Sequence, residues 1–191
     1  MRLVYCFVCF IVPFAAAAQT EEPLSVSDKA ELRARNMVTP MAFAGSAAGA
    51  GIQQWRDNPT EWRQGAAGYG RRYASAHGWI VTQNIVALGL DTTLGIDPRY
   101  RRSSQTGVWP RIRDAVKQTW VARTDSGDAM FNYSAVGASY GAGLISCAWH
   151  PARVDSVGDG LIRGTIGLGY DMLSNVVKEF WPVKKRKPSE R

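Results

Sequence analysis

The chain has 191 residues, which is within the usual size of one domain and long enough to bury a core. Its formal net charge of +7 suits an anionic partner, such as lipid headgroups or nucleic acid. Of its three cysteines, only Cys147 lies beyond residue 18, so a chain that loses residues 1–18 cannot form an internal disulfide.

The N-terminal residues have the layout of a cleavable secretory signal peptide. Arg2 precedes an apolar run, and the small residues Ala16 and Ala18 stand where signal peptidase requires them. We therefore expect cleavage after Ala18, a mature chain from Gln19, and a location in the periplasm or cell envelope. An uncleaved membrane anchor is the alternative, although the apolar run is shorter than the ~20 residues that a span needs. Export argues against nucleic acid as a partner.

The composition divides the chain into successive segments. They are a signal peptide over 1–18, a leader with a short first helix over 19–35, a helical domain over 36–182 and a basic tail over 183–191. The first helix is expected to follow Ser25 or Ser27, because Asp28 and Glu31 then stand in its opening turn, where acidic groups favour the positive helix end.

The motif Asn58-Pro59-Thr60-Glu61 predicts the start of a long helix. It combines an N-cap residue, a proline at the first helical position and the acid of a capping box. The helix is expected to run toward Leu90 and to end before Asp97-Pro98, because the residue ahead of a proline avoids helical geometry.

Three more helices are predicted further along the chain. One starts near Pro110, where apolar and basic residues fall on opposite sides. The charge-free stretch from Ala129 to Ala152 predicts a second, since it is far longer than a typical strand. The last helix ends at Trp181-Pro182.

Small residues recur at four-residue spacing in these segments, so they line one face of each helix. Because glycine in a helix costs up to about 1 kcal/mol relative to alanine, such faces make sense where helices approach closely. We therefore expect an all-α fold, a compact bundle of about five glycine-rich, closely packed helices. The predicted packing residues are Gly45, Gly49, Gly70, Ala74, Gly78, Gly137, Gly141, Gly160 and Gly164.

The same spacing is found in associating transmembrane helices. Polar residues such as Gln83 and Asn84 would be costly against lipid, which favours a soluble or peripherally attached bundle. Tryptophans near the ends of the apolar stretches are typical either of a membrane interface or of core packing. They are Trp55, Trp79, Trp149 and Trp181.

The basic tail is a candidate for contact with an anionic surface, and the alternative is an ordinary solvated tail. Its cations are Lys184, Lys185, Arg186 and Lys187, followed by Arg191.

Few residues suggest catalysis. Ser139 lies in a G-x-S-x-G pattern, but that nucleophile elbow belongs between a strand and a helix, and here it falls inside a predicted helix. Glu61, Asp97 and Asp125 are weak candidates for an acidic centre. His77, His150 and Cys147 show no metal-ligand spacing, so we expect neither a metal nor another cofactor.

Several motifs together resemble a family of uncharacterised exported bacterial proteins, over about Ala42 to Pro182. The resemblance implies an exported protein, but it implies no activity, cofactor or catalytic residue. The motifs are Asp57-Asn58-Pro59-Thr60-Glu61-Trp62, Gly68-Tyr69-Gly70-Arg71-Arg72, Asp97-Pro98-Arg99-Tyr100, Arg123-Thr124-Asp125-Ser126-Gly127, Phe131-Asn132-Tyr133-Ser134 and Leu173-Ser174-Asn175-Val176-Val177-Lys178-Glu179-Phe180-Trp181-Pro182.

The sequence therefore predicts an exported cell-envelope protein, a non-enzymatic structural or interaction module whose partner is an anionic membrane surface or an envelope protein. The alternatives are an envelope hydrolase with an acidic or serine centre and a small membrane-inserted helical assembly. The oligomeric state stays open.

Overall fold

A computed structural model describes residues 22–182, and within them the fold is mostly helical. The expected signal peptide and basic tail lie outside these residues. The helices are α1 (Val26–Met37), α2 (Pro40–Trp55), α3 (Gly65–Thr93), α4 (Val108–Trp120), α5 (Tyr133–Ile145) and α6 (Val157–Phe180). The strands β1 (Ile96–Asp97), β2 (Val121–Thr124) and β3 (Ala129–Phe131) form an antiparallel sheet in the order β1-β2-β3. The all-α class is confirmed, with one small sheet that was not predicted.

The first helix begins where the sequence predicts. Ser25 caps α1, and its hydroxyl and the Asp28 carboxylate form a capping box. From α1, Lys29 donates a hydrogen bond to the Asp91 carbonyl of α3 (3.1 Å), and Arg33 pairs with the Asp91 carboxylate (2.7 Å). These contacts tie α1 to the helical domain.

The long helix α3 starts later than predicted, so the Pro59 start is wrong. Thr60–Trp62 forms a short 3-10 turn, Arg63 follows with φ of 59°, and α3 begins only at Gly65. The reason lies in Arg72, whose guanidinium donates to the carbonyl oxygens of Asn58, Pro59 and Arg63. Arg72 therefore holds these carbonyls, although the Pro59 carbonyl also accepts the 3-10 hydrogen bond from the Trp62 amide (3.3 Å).

The stretch from Ala129 to Ala152 is not one helix, contrary to the sequence-based expectation. Its first residues form β3, whose Phe131 pairs with Val121 of β2. Asn132 then caps α5 by accepting a hydrogen bond from the Ala135 amide (3.0 Å). The strand is only three residues long, too short to show an alternating pattern.

Helices α5 and α6 touch through their backbones. A Cβ added at Gly143 would overlap the Gly160 carbonyl oxygen and lie 2.8 Å from the Gly164 nitrogen. A Cβ at Gly164 would lie 2.9 Å from the Tyr140 Cα atom. Side chains or backbone also stand within 4.0 Å of a Cβ added at Gly45, Gly49, Gly137, Gly141 and Gly160.

The small residues at the start of α3 do not make such close contacts with another helix. No atom lies within 4 Å of a Cβ added at Gly70 or Gly78, and Ala74 is exposed. Helix α2 meets α3 on a neighbouring face, where Gly49 approaches Ala76. The predicted close packing is therefore wrong at these three positions.

The interior contains small and polar residues. Alanines make up most of the buried apolar residues, while the largest fully buried side chains include Arg72 and Glu179. Large apolar side chains are instead common on the surface, including Trp55, Trp109 and Trp181. No helix between residues 22 and 182 is long and apolar enough to cross a bilayer.

Candidate functional site

Glu61 and Asp97 are two of the three ion-paired acids among the four candidate catalytic residues. Glu61 is exposed on the 3-10 turn and accepts a hydrogen bond from Arg153 Nε (3.0 Å). A backbone hydrogen bond and then the Arg153 contact lower the pKa of Glu61. Asp97 is buried on β1, where burial opposes its ionisation, but hydrogen bonds from Arg99 and Arg101 outweigh that effect and lower its pKa. Both carboxylates therefore stay ionised at neutral pH and hydrogen-bonded to arginine side chains.

The other two candidates have different partners. Asp125 lies in the turn between β2 and β3 and pairs with Lys29 (2.7 Å). Ser139 is fully buried in α5, where its hydroxyl donates to Asp171 Oδ2 (3.2 Å) and accepts from Gln83 Nε2 (2.9 Å). The four candidates thus share no hydrogen-bond partner in the described chain.

The surroundings of Ser139 do not form a serine nucleophile site. The residue lies within helix α5 and is 0% exposed, whereas a nucleophile elbow presents its serine on an exposed strand-to-helix turn. His77 hydrogen-bonds Ser46, and His150 contacts the Ser146 carbonyl, so neither supplies Ser139 with a base.

Residues of the motifs that carry the family resemblance form two buried polar contacts, which we call anchors. Arg72, fully buried on α3, binds the segment that contains Asn58 and Pro59. Glu179, fully buried on α6, accepts hydrogen bonds from Tyr100 Oη (2.7 Å) and Arg111 Nε (2.8 Å). Sequence reasoning named these segments but missed their pairing, because the spacing of motifs along a chain does not show which segments meet.

The Glu179 anchor fixes the first turn of α4 against the end of α6. Arg111 also donates to the Glu179 carbonyl oxygen (3.0 Å) and stacks over the Phe180 ring at 4.7 Å. Burial opposes the ionisation of Glu179, but its hydrogen bonds from Arg111 and Tyr100 outweigh burial and lower its pKa. Burial together with the Glu179 contact raises the pKa of Tyr100, so the phenol remains a donor. These contacts hold the start of α4 against the end of α6.

Large apolar side chains remain exposed around this anchor. We call the group formed by Val108, Trp109, Phe180 and Trp181 the aromatic end. Trp109 is 78% exposed and Trp181 is 61% exposed. Arg113 is also exposed and lies one helical turn beyond Trp109 on α4, so the two residues share a face. The basic tail follows directly after Trp181-Pro182.

The four tryptophans named from the sequence have different positions. Trp55 at the end of α2 is 86% exposed, and Trp181 belongs to the aromatic end. Trp149 donates to the Ser75 hydroxyl (3.0 Å), and Trp79 lies close to Gly167. Trp55 and Trp181 are therefore the more exposed of the four, whereas Trp79 packs against α6.

Metal ligands do not cluster: between residues 22 and 182, no three His, Cys, Asp or Glu side chains stand together as a group that could hold an ion. The chain matches no protein-family model, no curated protein and no solved structure.

Proposed function

We propose that the protein is exported and works in the cell envelope as a non-enzymatic interaction module that attaches to an anionic membrane surface. The observation that carries this proposal is the aromatic end: Trp109 on α4 and Trp181 directly after α6 are both largely exposed, and in the sequence the basic tail follows Trp181-Pro182. Tryptophan side chains favour the interface between lipid headgroups and hydrocarbon. Cations favour anionic headgroups.

The aromatic end supplies the apolar part of the attachment. Its side chains belong to the ends of two helices that Arg111 and Glu179 fix against each other. Each exposed tryptophan is then expected to strengthen attachment by roughly tenfold.

The tail supplies the electrostatic part. Each Lys or Arg near an anionic leaflet contributes about 1 kcal/mol. The four clustered tail cations, from Lys184 to Lys187, then correspond to roughly a thousandfold in partitioning. Arg113, on the same face as Trp109, adds a further cation beside the aromatic end.

The two alternatives differ in what they require. An envelope hydrolase needs a convergent centre, and the residues named for it have separate partners in the described chain. A membrane-inserted assembly would resist extraction by salt, whereas a peripheral module would not. The following experiment separates the peripheral interpretation from the inserted one.

The test is co-sedimentation of the chain from Gln19 with phospholipid vesicles. Vesicles of mixed phosphatidylcholine and phosphatidylglycerol are expected to bind the protein, pure phosphatidylcholine vesicles to bind it weakly, and high salt to release it. Replacing all four clustered tail cations by glutamine is expected to lower partitioning by roughly a thousandfold.

A matched pair of tryptophan variants tests the aromatic end. Trp109→Ala is expected to weaken binding about tenfold, while replacing Trp55, a similarly exposed tryptophan on α2, by alanine leaves it unchanged. Equal loss in both variants would show unspecific adhesion of the apolar surface. Binding that needs no anionic lipid would overturn the proposal.

A further inference from the structure

A polar cavity of about 640 Å³ lies between α1, α3, α4, α6 and the segment that follows β1. Its volume is within the range of small-molecule sites and far exceeds that of a single ion. We call three of its lining side chains the inner wall: Gln83 and Asn84 of α3, each only 7% exposed, and Asp171 of α6. Their hydrogen-bonding capacity indicates what the cavity can recognise.

The hydrogen bonds of the inner wall fix the orientation of its groups. Gln83 Nε2 donates to Asp171 Oδ2 (2.8 Å) and to Ser139 Oγ (2.9 Å). Asn84 Nδ2 donates to the Ile80 carbonyl oxygen (2.9 Å). Carboxylate and carbonyl oxygens only accept, so the remaining polar atom of each amide group is its oxygen. Gln83 Oε1 and Asp171 Oδ1 therefore belong to two groups in direct contact, and Asn84 follows Gln83 in the same turn of α3.

Three oxygen atoms of the inner wall have no donor from the chain. Gln83 Oε1, Asn84 Oδ1 and Asp171 Oδ1 accept no hydrogen bond from residues 22–182, and none of them is sealed from water. Asp91, about two helical turns after Asn84 on α3, also lines the cavity, and its Oδ1 atom is buried without a partner in that range. This side of the cavity therefore offers acceptors, and a ligand is required to donate.

A primary ammonium group matches this wall in number and in charge. It has three N–H donors and one positive charge. Asp171 supplies one negative charge, because burial raises the pKa of its carboxyl only to about 6, which leaves it mostly ionised at neutral pH. The hydrogen bond from an ammonium group to this carboxylate is charge-assisted and therefore among the strong ones.

Cations line the cavity as well. Arg102, Lys117 and Lys178 are exposed lining residues, so they lie on the side of the cavity that is open to water. They would repel a ligand that carries only a positive charge, and they would attract an anionic group on the same ligand. A primary ammonium group and a carboxylate on one small molecule are the features of a free amino acid.

We propose that the cavity binds a free α-amino acid, whose ammonium group donates to Gln83 Oε1 and Asp171 Oδ1, with Asn84 Oδ1 as a further acceptor. Its carboxylate faces the exposed cations, and the remaining volume accommodates its side chain. This site goes beyond the membrane attachment and does not depend on it. Of the aromatic end, only Trp181 lines the cavity.

The test is a thermal-shift screen of the chain from Gln19 against each standard L-amino acid, followed by calorimetric titration of those that raise Tm. At least one amino acid is expected to bind with one-to-one stoichiometry. Its N-acetyl derivative, which lacks the ammonium charge, is expected to bind at least about tenfold more weakly. Its decarboxylated amine is also expected to bind more weakly, because it lacks the group that the exposed cations attract. Absence of any binding amino acid, or equal binding of either derivative, overturns the proposal.

Asp171→Asn removes the charge of the inner wall and keeps its shape. It is expected to weaken amino-acid binding about ten- to one-hundredfold, because a hydrogen bond to a charged group is lost. Burial opposes the ionisation of Asp171, so this variant is not expected to lose stability, and circular dichroism checks that the fold is retained.

Asp155→Asn is the matched control, because Asp155 is exposed just before α6 and does not line the cavity. Unchanged binding in this variant supports the site, and equal weakening by the two variants overturns it. Vesicle binding of Asp171→Asn is expected to be unchanged, so a failure of this site and a failure of the membrane attachment are distinguishable.

Discussion

Replacing Gly143 with alanine perturbs the contact through which α5 and α6 touch. The added Cβ would overlap the Gly160 carbonyl oxygen and stand 2.8 Å from the Gly164 nitrogen, whereas real Cβ atoms essentially never approach a neighbour within 3.0 Å. Both contacted atoms belong to the backbone, so the helices themselves must separate. A flexible side chain could move aside at much lower cost.

The magnitude follows from two opposing effects. Overpacking a well-packed interior typically costs about 1–3 kcal/mol, and contact with backbone places this site at the upper value. Alanine is a better helix former than glycine by about 1 kcal/mol. The expected net loss is about 2 kcal/mol, which corresponds to a fall in Tm of roughly 4–8 °C for a chain of this size.

The assay is urea unfolding of the chain from Gln19, followed by circular dichroism. Gly169→Ala is the matched control, because Gly169 lies on α6 with no atom within 4 Å of an added Cβ. That variant is expected to gain up to about 1 kcal/mol from helix propensity alone. Equal stability of the two variants would refute the backbone contact between α5 and α6.

Three further predictions concern charged groups. Burial raises the pKa of Asp171 from 3.8 to about 6, so its stabilising contribution is complete below pH 3.8 and is lost as the pH rises through about 6. The shift corresponds to about 3 kcal/mol, and Asp171→Asn is expected to raise the urea midpoint near neutral pH but not in acid. Glu179→Gln is expected to lower the free energy of unfolding by about 2 kcal/mol, because Arg111 loses a charged partner; unchanged urea unfolding would contradict this. Glu61→Gln removes an exposed ion pair and is expected to change stability by less than about 0.5 kcal/mol in the same assay.

The parts of the fold that depend on local signals could be predicted from the sequence. Ser25 with Asp28 carries enough capping chemistry to locate the start of α1, and Trp181-Pro182 marks the end of α6. The all-α class follows in the same way, from long charge-free segments that are too long for strands. Local hydrogen bonding and backbone geometry determine these features, so distant contacts do not change them.

The remaining features depend on contacts between distant residues. Arg72 binds carbonyl groups around Pro59 and prevents the predicted helix start there. The face of α3 that carries Gly70 and Gly78 has the same spacing as a packing face, but α2 lies elsewhere. At the candidate site, Trp181 and the tail were named from the sequence, while Trp109 was missed because the packing of α4 against α6, through contacts such as Arg111 with Glu179, does not show in the sequence.

Fractionation of the producing cells tests membrane attachment most directly. Membranes collected after lysis are washed with high salt and then with detergent, and the protein is followed by immunoblot alongside a variant truncated after Pro182. We predict that the full chain is found with the membranes and is released by salt, while the truncated chain is largely recovered without any membrane. Release of the full chain by detergent alone, or equal membrane recovery of the truncated chain, would contradict the account.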